Sequence, residues 1–388
     1  MVNAIIAVLV ALGLAYLLAE VLKKLGIPRV VGQISAGIVL SIPLFKNYLF
    51  TTDNLEIISF LANLGIILLF YYIGLETNFQ AFTKNIKKSV LISLLNTFLP
   101  LATGFLVMFY LFDFSLLVSL LIGISLAVSA QSVSVDLLEE LKMIKSKLGT
   151  LIISAGAVDD IIELLLVSIL FSVFHVAVSN LTLGKLALDI TLFVLVIILA
   201  RLLIIPFVLR LFDRQGSSTA RFTGSLLVVL IIASLAEYLG VGLFIGAMIA
   251  GMIVRQTIFK EENIPNRDEK DIANSIHISA FGFLIPIFFV WIGLNVDLST
   301  LWKEAGFISI LLLISLFGTV GGSALAVVLA KGKWRDGFIL GWGLSPKGDV
   351  ELVIAALALS TGIIHEDLFT ALVMAALLTT IISPIVFK

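Results

Sequence analysis

Apolar runs of similar length follow one another along almost the whole chain, separated by short breaks that carry charged residues, Gly or Pro. A helix needs about 20 mostly apolar residues to cross the hydrocarbon core of a bilayer, so each run predicts one span. The pattern predicts thirteen spans, at approximately 2–22, 29–45, 55–76, 87–111, 115–138, 147–174, 184–211, 221–238, 240–257, 276–296, 304–330, 336–361 and 366–387. We therefore expect an all-α polytopic membrane protein that forms a single integral membrane domain over residues 1–388.

The composition leaves no room for a soluble catalytic domain. Hydrophobic residues make up 60% of the chain and charged residues 13%, and the mean hydropathy is +1.18. The 25 basic and 26 acidic residues nearly cancel, so bulk charge gives no reason to expect a nucleic-acid partner. Cysteine is absent, which excludes disulfides, thiolate metal sites and a thiol nucleophile. We expect a protein embedded in the lipid bilayer, with no enzymatic activity, no cofactor and no soluble C-terminal domain.

Lysine and arginine concentrate in alternate loops between the predicted spans. One set of loops and the C-terminus together hold 20 of these residues, whereas the opposite loops hold only Lys46, Lys185 and Lys303. Cytoplasmic loops of inserted membrane proteins are enriched in lysine and arginine. The distribution therefore predicts that the N-terminus lies outside the cell and the C-terminus in the cytoplasm.

The second half of the chain repeats the first in the order of its motifs. The matching segments are Leu25-Gly26, Gly32 and Ala36-Gly37 with Leu239-Gly240, Gly246 and Ala250-Gly251, and Ile73-Gly74-Leu75 with Ile292-Gly293-Leu294. We place repeat 1 at about 29–211 and repeat 2 at about 240–388. Seven spans separate the members of each pair, so the two copies must face opposite ways across the membrane. Inverted repeats of this kind are typical of secondary transporters, whose substrate site lies near the membrane midplane.

Two adjacent carboxylates, Asp159 and Asp160, lie inside the sixth predicted span. An ionisable residue near a span centre costs roughly 2.5 to 3.5 kcal/mol on insertion scales, so it needs a partner or a function. Neighbouring carboxylates in a low dielectric cannot both ionise cheaply unless a cation binds, and protons and cations therefore compete for such a pair. Glu163 lies one helical turn further along the same face and is an ion-pair candidate for Lys347 or Arg201.

Helix-breaking residues interrupt two further spans at positions that match under the repeat. The fifth span contains the polar run 129–134, and the twelfth contains Ser345-Pro346-Lys347-Gly348-Asp349. Irregular backbone at membrane depth is tolerated where it lines a cavity or is buried in protein, and its free carbonyls suit ions. Two crossed discontinuous helices beside the acidic pair predict an ion site. Gln131 and Ser132 would supply oxygen ligands, and Lys347 would neutralise the carbonyl ends of the broken helices.

The repeat is symmetric in fold but not in charge. Under it, Asp159 and Asp160 correspond to Thr379 and Thr380 in the last span, and both pairs are followed by Ile-Ile. The thirteenth span is therefore expected to be an uncharged scaffold, and the chain is expected to hold one transport site.

Taken together, these residues resemble the monovalent cation:proton antiporter superfamily, in particular the branch with an Asp-Asp pair in its sixth span. The resemblance covers nearly the whole chain and rests on the segments 25–33, 73–76, 157–160, 246–251 and 343–349. It implies a homodimer with a dimerisation domain and a core domain that moves like an elevator around the crossed broken helices. It also implies that Asp160 is the obligatory carrier of ion and proton, with Asp159 as its charged neighbour.

The chain departs from that family pattern in two places. Electrogenic members carry a lysine in the span before the Pro-Lys/Arg-Gly break, where it pairs with the first Asp, but here residues 318–323 include no basic group. The family's potassium-efflux members continue into a cytosolic nucleotide-binding domain, whereas this sequence ends at Lys388. The second departure favours a simple sodium/proton exchanger.

We predict a secondary active antiporter that exchanges Na+ (or Li+) for H+ by alternating access. Asp160 and Asp159, with oxygens of the fifth-span break, would bind either the metal cation or protons. A K+/H+ antiporter is the nearest alternative, because the ligand types do not separate the two ions. A sodium-coupled organic-solute symporter can share the same repeat architecture. An intramembrane protease is disfavoured, since neighbouring aspartates on one helix do not face each other, and no repeated filter segment supports a channel.

Overall fold

The computed structural model describes residues 4–76, 86–179, 191–192, 195, 197–199, 201–202, 218–239, 241–260, 274–348 and 350–388, and every regular element in this part of the chain is helical. In chain order the helices are α1 (Ala4–Lys24), α2 (Arg29–Leu40), α3 (Pro43–Leu49), α4 (Thr52–Glu76), α5 (Ile86–Tyr110), α6 (Leu116–Ala127), α7 (Gln131–Glu140), α8 (Lys147–Ser179), α9 (Ser218–Tyr238), α10 (Leu243–Lys260), α11 (Asn274–Leu294, with a π-helical turn at Ala280–Leu284), α12 (Leu298–Lys303), α13 (Ala305–Leu329), α14 (Trp334–Leu344), α15 (Val350–Ser360) and α16 (Glu366–Phe387).

Twelve of the thirteen predicted spans coincide with helices of the described chain. Most of the seventh, at 184–211, lies outside the described residues, and the loop residues 77–85 and 261–273 lie outside them altogether. Seven described helices are long and apolar enough to cross a membrane when α6 and α7 are counted as one, and an eighth span is added if α2 and α3 are counted together. A helical architecture suits the lipid bilayer, because every backbone polar group in lipid must find its hydrogen-bond partner within the protein.

The second predicted span, 29–45, is not one straight helix. Helix α2 ends at Leu40, and α3 begins at Pro43 after a bend of 84°. Proline has no backbone N–H and fixes its own φ, so it is tolerated at the first position of a helix but ends a preceding one. The apolar pattern continues across the bend, so the pattern alone does not reveal it.

The chain divides into two compact units, one of Met1–Leu55, Asn78–Val167 and Phe289–Lys388, and one of Glu56–Thr77 and Ser168–Phe288. In the first unit, α5 packs against α6 and α13, and α13 packs in turn against α14 and α16. An apolar core cluster joins α5, α7, α8, α13 and α14; its most buried members include Ile92, Leu138, Ile152 and Leu340. In the second unit, α9 packs along α10. Both interrupted spans lie in the first unit.

Two helix crossings each pair a glycine of the first half of the sequence with a glycine of the second half. In the first unit, a methyl group on Gly37 would lie 2.7 Å from Gly293 Cα. In the second unit, a methyl group on Gly74 would lie 3.1 Å from Gly251 Cα. Gly37 matches Gly251 and Gly74 matches Gly293 in the sequence repeat, so the two contacts are equivalent. Glycine is required at both crossings because the backbones themselves touch.

Candidate functional site

The fifth span is interrupted between α6 and α7 by three residues with non-helical backbone. Val128 is extended, with φ −62° and ψ 137°, and Ala130 has φ −92° and ψ 87°. Helix α7 restarts at Gln131, so the polar run seen in the sequence begins at this break. The backbone N–H of Ala130 donates to Pro346 O at 2.7 Å, which joins this break directly to that of the twelfth span.

The twelfth span is interrupted between α14 and α15. Pro346 has no N–H to continue a helix, and Gly348 has a φ of +150°, which residues with a side chain rarely adopt. Ser345 Oγ donates to Gly341 O at 2.7 Å and closes the last turn of α14. Asp349, the last residue of the sequence motif, lies outside the described residues. The two discontinuous helices predicted from the sequence are therefore present, and their breaks meet.

Lys347 is completely buried at this meeting point, and no other lysine or arginine is buried in the described part of the chain. Its Nζ donates to Ala127 O at 3.0 Å. Ala127 is the last residue of α6, and a helix ends in carbonyls that lack partners and carry partial negative charge. Thr380 Oγ1 accepts from Lys347 N at 3.2 Å and also contacts Lys347 O. The lysine is thus placed against the carbonyl end of the other broken helix.

Asp159 is fully buried in α8 and accepts three hydrogen bonds from α5. Ser93 Oγ donates to Asp159 Oδ1 at 2.6 Å and Thr97 Oγ1 to the same oxygen at 3.0 Å. Asn96 Nδ2 donates to Asp159 Oδ2 at 2.9 Å. Residues separated by three and four positions share one face of a helix, so α5 presents these donors together. Neutral donors on α5 therefore satisfy the Asp159 carboxylate. The eleventh span has no lysine that could pair with it.

The α5 donors are tied to α13 as well. Ser323 Oγ donates to Asn96 Oδ1 at 3.2 Å. A methyl group on Gly322 would meet Asn96 Cα at 3.1 Å, so the absence of a side chain at that position lets the two helices approach. Ser93, Asn96 and Thr97 are not among the site residues predicted from the sequence. Their signal was the i, i+3, i+4 spacing of three polar residues on an otherwise apolar span.

Asp160 is partly buried, and the Gln131 side chain of α7 lies beside it. In the amide orientation that pairs donor with acceptor, Gln131 Nε2 donates to Asp160 Oδ1 at 3.0 Å. The amide rests on Gly156, where an added methyl group would come within 2.8 Å of Gln131 Cδ. Ser132 follows in the first turn of α7 and is exposed. The structure thus brings Asp159, Asp160 and Gln131 together at the first break.

Glu163 is buried and reaches the same break from the next turn of α8. Its Oε1 accepts from the Ser129 N–H at 2.6 Å and from Ser129 Oγ at 3.0 Å. Ser129 lies in the non-helical break before α7, so the carboxylate satisfies a backbone N–H that no helix pairs. The hydrogen bonds of Glu163 therefore come from the break itself. Lys347 acts on Glu163 and Asp159 electrostatically. Arg201, the other basic candidate, is exposed.

Carboxylates outnumber cations at this site. Asp159, Glu163 and Glu351 are buried, Asp160 is partly buried, and Lys347 is the one buried base in the described chain. Burial penalises an ionised carboxylate that lacks a compensating charge. The binding of either protons or a metal cation therefore stabilises such a site. Oxygen atoms are the ligands that hard cations prefer.

Comparison with known proteins matches residues 7–388 to the model of the family described as sodium/hydrogen exchanger, transmembrane. A Na+/H+ antiporter of Enterococcus hirae is 29% identical over 95% of this chain and 93% of its own length. The Na+/H+-K+ antiporter GerN of Bacillus cereus is 28% identical over 94% of this chain and 90% of its own length. The solved structure of the sodium proton antiporter MjNhaP1 from Methanocaldococcus jannaschii aligns with a TM-score of 0.70 at 18% identity, covering 98% of this chain and 95% of that one.

Proposed function

The chain belongs to the sodium/hydrogen exchanger family, and on that premise we propose that it is a multi-pass membrane antiporter that exchanges Na+ or Li+ for H+ by alternating access. The observation that carries the proposal is the Asp159–Asp160 pair at the point where two broken helices meet. A fully buried and a partly buried carboxylate share this position with a single buried lysine.

Competition at this pair is sufficient to couple the two fluxes. With a metal cation bound, the positive charge satisfies the carboxylates and protonation is disfavoured; with protons bound, the cation has no charge to attract it. If the site moves between the two sides only when it is occupied by one or the other, each cation carried one way is matched by protons carried back. Coupling therefore requires no further energy source.

The residues around the pair have distinct roles in this proposal. Asp160 is the carrier of cation and proton, Asp159 adds the second carboxylate, and Gln131 and Ser132 contribute polar groups from the start of α7. Lys347 and Glu163 compensate the helix ends at the breaks: Lys347 at the carbonyl of Ala127, and Glu163 at the N–H of Ser129. The transported cation, the proton and the surrounding lipid are the partners of the protein.

The decisive experiment uses proteoliposomes with an imposed pH gradient and a lumenal pH dye. Adding Na+ or Li+ to the wild type is expected to collapse the gradient. Asp160→Asn preserves the size of the side chain but removes its charge, so its cation response is expected to fall to the level of empty liposomes. Glu366→Gln is the matched control, because Glu366 is exposed in the first turn of α16. If Asp160→Asn exchanges at the wild-type rate, Asp160 is not the carrier.

K+/H+ exchange is the second candidate, and it is favoured by one observation: the Bacillus cereus relative is named for both Na+ and K+. The same assay ranks the ions when K+ is added in place of Na+. A pH response to a neutral organic solute with Na+, and none to Na+ alone, would instead support a solute symporter.

We also propose that the protein is a homodimer and that its N-terminus faces the outside. The first proposal rests on the family membership and the second on the distribution of lysine and arginine among the loops.

A further inference from the structure

Glu351 is a buried carboxylate that the proposed exchange does not use. It lies in the first turn of α15, directly after the break of the twelfth span, and its relative exposure is 1%. Both of its carboxylate oxygens are buried, and neither has a hydrogen-bond partner among the described residues. Asp159 and Glu163, the other fully buried acids of this unit, accept three and two hydrogen bonds. Glu351 is therefore the exception at this site.

The charge that acts on Glu351 is Lys347, four residues earlier in the chain. Lys347 in turn interacts electrostatically with Glu351, Glu163 and Asp159. Two helices that pack against α15 are α6 and α16. Helix α6 has no titratable group along its length, and the acids of α16 are Glu366 and Asp367 at its first turn. Among the described residues, Lys347 is therefore the charged group that links Glu351 to Glu163 and Asp159.

Two opposing effects act on the proton of Glu351. A buried carboxylate without hydrogen bonds is costly when ionised, which favours the protonated form. A nearby lysine and the positive N-terminal end of α15 favour the ionised form. The balance between them depends on how strongly Lys347 is engaged by Glu163 and Asp159, and hence on what the dyad has bound.

We propose that Glu351 is a second proton-binding residue of the antiporter, a positioning residue that controls how strongly Lys347 opposes cation binding at Asp159 and Asp160. When Glu351 is ionised, it offsets the charge of Lys347, and the dyad binds Na+ more tightly. When Glu351 takes up a proton from solvent, the full charge of Lys347 acts on the dyad and Na+ is released more readily. This inference rests on the proposed function and adds a second pH-sensitive step to it.

The test measures the apparent KM for Na+ of wild type, Glu351→Gln and Glu351→Asp in proteoliposomes from acid to alkaline pH. Glu351→Gln is permanently neutral, so its KM should equal the wild-type value at acid pH and exceed it by roughly fivefold or more at alkaline pH, the lower end of typical couplings between sites. Glu351→Asp keeps a titratable group and should retain the wild-type pH profile. Glu366→Gln again serves as the control for removal of an acid.

A ratio of KM values that stays at one at every pH overturns the proposal, and so does a loss of turnover that is equal at every pH, because a purely structural role would produce it. If Glu351→Gln does not fold, Glu351→Ala is measured in its place. If neither neutral variant folds while Glu351→Asp does, the carboxylate is a structural partner of Lys347 and the proposal is wrong.

A binding measurement separates this inference from the proposed function. The increase in the thermal unfolding midpoint caused by Na+ in detergent reports cation binding without transport. Wild-type protein with neither exchange nor stabilisation by Na+ or Li+ would contradict the proposed function. Wild-type protein that exchanges, with Glu351→Gln stabilised by Na+ to the same extent as wild type at every pH, would contradict only the role of Glu351.

Discussion

At the scale of single residues, the main finding is that Asp159 is held by neutral donors. Ser93, Asn96 and Thr97 occupy its two oxygens, and Ser323 fixes Asn96 from the other side. The resemblance to electrogenic relatives implies a lysine partner for this aspartate, and this sequence offers none on the eleventh span. A carboxylate accepts hydrogen bonds from hydroxyl and amide groups as well as from ammonium groups, so three donors on one helix face can replace one ion pair.

The hydrogen bonds from α5 to Asp159 lead to a testable prediction about the stability of the protein. Thr97→Val removes a hydroxyl that donates to a buried carboxylate, and hydrogen bonds to charged groups contribute about 1.5 to 3 kcal/mol. Thermal and denaturant unfolding in detergent should show a loss of that size. Thr103→Val is the matched control on the same helix, because the Thr103 hydroxyl donates to backbone carbonyls of its own helix, those of Leu99 and Pro100. Its effect should stay within about 0.5 kcal/mol. Equal losses of unfolding free energy in the two variants would argue against a stabilising hydrogen bond from Thr97 to Asp159.

At the scale of helices, close crossings and breaks have different roles: breaks leave backbone polar groups unpaired, and crossings bring two backbones into contact. The breaks of the fifth and twelfth spans expose backbone groups at membrane depth, and the protein satisfies them with Lys347 and Glu163. The glycine crossings instead bring intact helices into backbone contact. Both features require tertiary partners. An unpaired carbonyl is costly in lipid, and a glycine allows close contact only where a second helix packs against it.

The crossing of Gly37 and Gly293 predicts the cost of adding a single methyl group. Gly37→Ala would place its Cβ against Val290 O and Gly293 Cα, where only backbone could move, so we expect destabilisation by about 1 to 3 kcal/mol. The control is Gly13→Ala in α1, where a Cβ meets nothing within 4 Å and alanine should stabilise the helix by up to about 1 kcal/mol. Unfolding midpoints of the two variants should therefore move in opposite directions. If Gly37→Ala raised the unfolding midpoint as Gly13→Ala does, helix propensity would outweigh the crossing.

At the scale of the whole molecule, the distribution of basic residues predicts the orientation in the membrane. The natural chain has no cysteine, so a single introduced cysteine can be labelled without background. In intact cells, a membrane-impermeant maleimide should label Lys303→Cys and Thr361→Cys. It should label Lys145→Cys and Lys333→Cys only after the membrane is permeabilised. All four positions are exposed, so labelling reports the side of the membrane rather than burial. The reverse pattern would invert the proposed topology.

The sequence by itself determined the spans, the two breaks and the acidic pair. These are local properties: membrane-length apolar runs, a proline and a glycine at an interruption, and charges inside an apolar run can be recognised without knowing what packs against them. The bend at Pro43 was missed because the apolar pattern continues across it, although the proline that causes it is visible in the sequence.

Only the tertiary structure decided the partners of those residues. The donors to Asp159 are 62 to 66 residues away in the chain, and the carbonyl that receives Lys347 is 220 residues away. From the sequence alone, Ser93, Asn96 and Thr97 are three polar residues on an apolar helix, and nothing predicts that they bind Asp159 or that Glu351 lacks a hydrogen bond. Helix formation depends on neighbours within one turn, whereas the satisfaction of a buried polar group depends on which helices pack together.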